Sequence, residues 1–202
     1  MNRTDYRAAI VEYIHRNANP PDKFSHQSRL YQLATQLAEN EAFDDEVVFA
    51  AAWLHDLGVF IGHRPENPAD LAQWDHLAYV LRLAPQILNQ TGFPATKIQP
   101  VLEAIRTHLP SAEPQTFEGS LLRDADILEQ LGAVGILRIT SKVGRDTRFV
   151  RFSDALRVLR KNAEELPAKL KLESARRLAK PRLEILTSFL NAADMEAKGL
   201  EW

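Results

Sequence analysis

Residues 48–58 read VFAAAWLHDLG, and no other stretch limits so strongly what this chain can fold into. An apolar, helix-forming run ends in a histidine and an aspartate side by side, and Gly58 supplies a stop just beyond them. Small side chains at Ala50, Ala51 and Ala52 suit a helix that packs closely against neighbours. Val48, Ala52 and His55 fall at i, i+4 and i+7, so His55 is expected to point with the apolar stripe into the protein. An unpartnered buried carboxylate costs several kcal/mol. A divalent metal that takes both side chains as ligands is the most direct resolution.

Adjacent helical residues diverge by about 100°, so other segments must complete such a shell. His26, His76, His108 and Asp126 are available, each in a stretch of its own. One histidine on an apolar helix face is ordinarily a satisfied core residue; four in separate helices, together with the His-Asp pair, are harder to explain that way. The chain has no cysteine, which excludes disulfides and thiolate sites and leaves nitrogen and oxygen ligands only. A net charge of −2 gives no reason to expect a polyanion as the main partner. With 202 residues, 45% hydrophobic and 26% charged, one globular core is expected. The opening MNRTDYRAAIVEYIHRNA has no apolar run of the secretory type, and no run reaches the roughly 18 residues that span a bilayer; a soluble cytoplasmic protein is the expectation.

Helical periodicity dominates. Ala8, Ile10, Val11, Tyr13 and Ile14 make a first amphipathic helix that ends before Asn19-Pro20-Pro21. Ser25 is the expected N-cap of a second, in which His26, Leu30, Leu33 and Leu37 share a face. Asp44 and Asp45 open the central helix. Residues 58–70, GVFIGHRPENPAD, read as a loop beside the His55-Asp56 pair, serving as a lid or a specificity segment. A further helix aligns His76, Val80, Leu83 and Ile87 and is kinked or ended early by Pro85. Another, over 98–109, aligns Val101, Ile105 and His108.

Residues 121–137 read as one helix with Asp124-Ala125-Asp126 near its start, where Gly132 and Gly135 imply a kink or close helix approach. Arg138, Lys142, Arg145, Arg148 and Arg151 surround Gly144 in a basic loop, ordinarily a solvated face and alternatively a phosphate clamp. Helices over about 153–164 and 167–193 follow. His15 and His63 read as surface residues, although His63 lies in the loop beside the His-Asp pair. No strand alternation is visible, so the fold class is all-α.

The order H…HD…H…H…D resembles that of the HD-domain superfamily of metal-dependent phosphohydrolases. Four segments are similar to its small bacterial single-domain hydrolases, nucleotide pyrophosphohydrolases among them: HQSRLYQLATQLA at His26, AAWLHDLG at His55, VLEAIRTHLP at His108 and LLRDADILEQLGAVGILR at Asp126. The tail LESARRLAKPRLEILTSFL resembles their closing helix. The resemblance implies an HD-domain helical bundle over residues 1–202, with a metal-site core at about 22–140 and C-terminal helices at about 153–195 packed on it.

It also implies His26, His55, Asp56 and Asp126 as ligands of one divalent ion, Mn, Fe, Co or Ni. Ala125-Asp126-Ile127-Leu128 fits the family's acidic motif, while periodicity alone leaves Asp124 as the fallback. His76 and His108 take the places of second-ion ligands or of phosphate contacts. The implied chemistry is hydrolysis of a phosphomonoester or nucleotide by a metal-activated water, with Asp56, His76, His108 and Arg29 as catalytic residues. Arg29 lies three residues after His26, placed to reach a phosphate or to pair with a nearby carboxylate. The loop after Asp56 lacks the acidic run expected in nucleotide pyrophosphohydrolases. The expected partner is a small phosphorylated molecule, with neither membrane nor nucleic acid, and a homodimer is the assembly to test. Two alternatives share the fold: a di-iron oxygenase using all six ligands, and a non-catalytic ligand-binding HD domain.

Overall fold

The computed structural model describes residues 5–198. Its helices in chain order are α1 (Tyr6–Asn17), α2 (Asp22–Ala38), α3 (Asp45–Leu54), α4 (Pro68–Ala72), α5 (His76–Thr91), α6 (Ile98–Arg106), α7 (Phe117–Glu129), α8 (Gly132–Thr140), α9 (Phe152–Glu165) and α10 (Glu173–Ala197). Three 3₁₀ turns, Leu57–Val59, Ala95–Lys97 and Pro167–Lys169, join them. Among the described residues there is no strand, only an isolated bridge between Ile61 and Arg64, so the all-α expectation holds. The chain divides after Arg123 into two compact units.

In the first unit, α3 is central. Every residue from Val47 to Leu54 is buried, and the helix packs on α1, α2 and α6. A helix without a polar face can only sit inside. Asp44 caps it by accepting from the backbone N–H groups of Glu46 and Val47, as Asp5 caps α1 and Asp75 caps α5. The second helix differs from expectation: α2 starts at Asp22, directly after Pro21. Ser25 lies within its first turn, where its hydroxyl donates to the Asp22 carbonyl. Pro85 neither ends nor interrupts α5, which continues to Thr91 and stops at Gly92 in the left-handed region.

In the second unit, α8, α9 and α10 pack on one another. The single helix expected over 121–137 is two, broken at Gly132 with φ +68°. A Cβ at Gly132 would stand 3.0 Å from the Cβ of Arg182, so both the backbone angle and the close approach of α10 require glycine there.

Candidate metal centre

His55 and Asp56 are not successive residues of a regular helix. The helix α3 ends at Leu54, His55 occupies its C-cap, and Asp56 leads the 3₁₀ turn with φ −99° and ψ 8°. The end of the helix frees carbonyls that have no further helical N–H to accept. His55 takes one of them: its Nδ1 lies 3.0 Å from the Ala52 carbonyl oxygen. His108 repeats the arrangement just past the end of α6, with Nδ1 at 2.6 Å from the Ile105 oxygen. Since a carbonyl only accepts, both Nδ1 atoms carry a proton, and in its neutral form each ring presents the Nε2 lone pair.

His26, from the early part of α2, completes the group. The Nε2 of His26 is 3.7 Å from Asp56 Oδ2, and the Nε2 of His55 is 3.6 Å from Asp56 Oδ1. These spacings exceed a hydrogen bond, yet one ligand atom from each of the three residues lies within 4.8 Å of the others. Both imidazoles are buried, whereas the Asp56 side chain keeps 15% of its exposure, so the carboxylate forms the solvent side of the group. Two imidazoles with Nε2 on either side of a carboxylate fit a divalent first-row ion when the rings are neutral.

The imidazole cluster continues beyond this triad. Ring centroids of His26 and His55 are 5.4 Å apart, those of His55 and His108 5.1 Å, and those of His108 and His76 6.4 Å. His76 is the first residue of α5, and its backbone is held against the 3₁₀ turn: a Cβ at Gly58 would fall 2.6 Å from the His76 carbonyl oxygen. Arg29 lies on α2 with Nη1 3.0 Å from Ser25 Oγ.

The HD domain profile matches residues 24–131. The chain belongs to the HD domain family. Its structure is similar to that of Bacillus subtilis YpgQ, with 22% identity, both chains covered in full and a TM-score of 0.73. It is also similar to the same protein in complex with ADP, at 21% identity over 96% of this chain and 100% of that one, TM-score 0.72. A predicted HD superfamily hydrolase from an uncultured Thermotogales bacterium is 25% identical over 95% of this chain and 91% of its own, TM-score 0.61. No curated protein matches the sequence significantly. No helix among the described residues is long and apolar enough to cross a membrane.

The acidic motif of this HD chain lies on α7, in the second unit from Asp124 onward. The two aspartates have different duties there. Asp124 is fully buried, and its Oδ2 accepts from the backbone N–H groups of Lys171 and Leu172, at 2.8 and 2.7 Å, where α10 is about to begin. Asp126 has Gln130 Nε2 at 3.3 Å from Oδ2 and Arg138 Nη1 at 3.9 Å from Oδ1. Two cations of the basic loop in the same unit are engaged within it. Arg148 grips Asp146 through Nε and Nη2 at 2.9 and 2.7 Å, and Lys142 lies over the Phe149 ring.

One histidine escaped the sequence reading. His63 is half-buried and bonded at both ring nitrogens, and its burial lowers its pKa below the ordinary imidazole value. Loop composition pointed to a surface residue. The available signal was the preceding glycine, Gly62, which adopts φ +95° in the turn that leads into His63.

Proposed function

We propose that this HD-family chain is a metal-dependent phosphohydrolase acting on a phosphomonoester or nucleotide. The observation that carries the reading is the Asp56 carboxylate set between the Nε2 atoms of His26 and His55. His26, His55 and Asp56 hold the ion, and the resemblance of the Ala125-Asp126-Ile127-Leu128 segment assigns Asp126 as a further ligand. A Mn, Fe, Co or Ni ion bound there supplies a Lewis acid and a water of lowered pKa.

The remaining steps fall to the chain's own side chains. The bond from His55 Nδ1 to the Ala52 carbonyl fixes the ring plane and the tautomer, which raises the basicity of Nε2. His108, locked in the same tautomer, can accept a proton at Nε2 and return it to the leaving oxygen, or together with His76 hold a second ion. Arg29 offers a guanidinium to the phosphoryl oxygens. The ADP complex of the structurally similar YpgQ supports a nucleotide among the candidate substrates.

The test is release of phosphate or pyrophosphate from a panel of nucleotides and phosphomonoesters by protein loaded in turn with Mn, Co, Ni and Fe. Metal-dependent turnover that disappears in His55→Ala is the expected result. Equal background release from native and variant protein across the panel would end the proposal.

A further inference from the structure

The segment after Asp56 is fastened rather than free. Trp74 Nε1 donates to the Gly58 carbonyl at 2.8 Å, and the Ile61 N–H donates to the Asn19 carbonyl at 2.9 Å. Two residues further on, the His63 ring stands between two helices. Its Nε2 is 3.0 Å from Asn17 Oδ1, at the end of α1, and its Nδ1 is 2.9 Å from the Tyr79 hydroxyl, on α5. The ring also packs edge-on against Phe60 and Tyr79, with centroids at 6.2 and 5.8 Å.

The polarity of this clasp follows from one backbone oxygen. The Tyr13 carbonyl can only accept, and Asn17 Nδ2 donates to it at 2.7 Å. Asn17 therefore turns its oxygen, not its amide nitrogen, toward His63. His63 must then carry its proton on Nε2, which leaves Nδ1 as an acceptor for the Tyr79 O–H. A neutral ring in that single tautomer satisfies every member of the chain from Tyr13 to Tyr79, and the half-buried setting favours the neutral form. This tautomer is opposite to that of His55 and His108.

We propose that His63 is a positioning residue for the metal centre: as the Nε2–H tautomer it fastens the segment that begins at Asp56 to α1 and α5, and so fixes the Asp56 carboxylate relative to His76. This inference rests on the metal-dependent reading above. The mechanical link is short. Asp56 accepts the Val59 N–H, Phe60 accepts those of His63 and Arg64, and Gly58 bears on the backbone of His76. Releasing His63 frees the distal end of a segment whose proximal end is a ligand.

The experiment measures Mn(II) binding by calorimetry on native protein and on His63→Ala, His63→Gln and Tyr79→Phe, with circular dichroism to verify helix content. Nitrogen-15 NMR of the ring reads the His63 tautomer. His63→Ala is expected to weaken Mn(II) binding by on the order of tenfold, as loss of a ligand-supporting hydrogen bond does. His63→Gln, which keeps a donor toward Asn17, recovers part of that affinity. Tyr79→Phe produces a smaller loss with native helix content, and it decides the matter with His63→Gln if His63→Ala fails to fold. Undiminished affinity in folded variants, or an Nδ1–H tautomer in the native protein, overturns the positioning role alone. Absence of Mn(II) binding by the native protein overturns the metal-dependent reading, and this inference with it.

Discussion

Two loops in this molecule carry side chains that the sequence offers to a phosphate or a metal, and they are tethered differently. The segment from Asp56 to Arg64, besides its own turn bonds, is tied to distant residues, to Asn17 and Asn19, to Trp74 and to Tyr79. The basic loop from Lys142 to Arg151 bonds to itself and to the ends of the helices that flank it, with the Val150 and Arg151 N–H groups donating to Asp154 of α9. Arg148 closes on Asp146, the Gly144 N–H donates to the Phe149 carbonyl, and Arg145 Nε donates to the Ser141 carbonyl. Outward bonds transmit the position of distant helices to the loop. Bonds to near neighbours in sequence engage the charge of such a turn locally, so a cluster of arginines in a sequence is not thereby a clamp.

The largest effect that could break this contrast lies at the ligands. His55→Ala or Asp56→Ala should abolish retention of Mn or Co through gel filtration and lower turnover by about a hundredfold or more, beyond the effect of a ligand-supporting group. Metal analysis of the eluted protein checks it, and a variant that elutes with its full complement contradicts the proposed ligand set.

Gly58→Ala comes next. Its Cβ would fall 2.6 Å from the His76 carbonyl oxygen, and two backbones must separate to admit it. A loss of about 1–3 kcal/mol of stability in urea melts is expected, together with reduced metal affinity. Arg148→Ala should remove less. It strips Asp146 of a bidentate partner, but the guanidinium is largely exposed, so about 1 kcal/mol or less is expected, with turnover within about twofold of native. A KM raised tenfold would restore the basic loop as a substrate contact.

The smallest effect is a pH dependence. Burial lowers the His63 pKa in the folded chain below its ordinary value of 6.5, so on acidification the unfolded chain takes up this proton first. The stability due to this group is therefore complete above about pH 6.5 and declines as pH falls from there toward the lowered folded value. Melting temperatures of native protein and His63→Gln, compared between pH 7.5 and 5, should differ in slope, with the native protein losing more. Parallel slopes would show that the ring is not held neutral.

Much of the fold was legible because each helix announces its buried face. Val47 to Leu54 has no polar position, and Leu30, Leu33 and Leu37 share a stripe, so both had to face the core. Boundaries were less legible. Ser25 has the chemistry of a cap, yet α2 starts three residues earlier, and Pro85 is accommodated within α5. Both outcomes depend on neighbouring chain, which a local pattern does not contain. The two aspartates of α7 show the same limit at a site. Helical spacing treats Asp124 and Asp126 nearly alike, but only Asp124 meets the N–H groups of Lys171 and Leu172, 47 and 48 residues away.

Sequence alone thus determined that the chain is helical, that His26 and His55 lie on buried faces, and that a carboxylate follows the second of them. These properties follow from period and polarity along one strand of chain. The folded chain decided which nitrogen of each ring is offered, locally at a helix end for His55 and His108 and by a distant contact for His63. The proton goes to whichever side faces an acceptor: a helix-end carbonyl for His55 and His108, and for His63 an amide oxygen of α1 turned by a carbonyl of the same helix. A tautomer is a property of what surrounds the ring, and only the folded chain provides the surroundings.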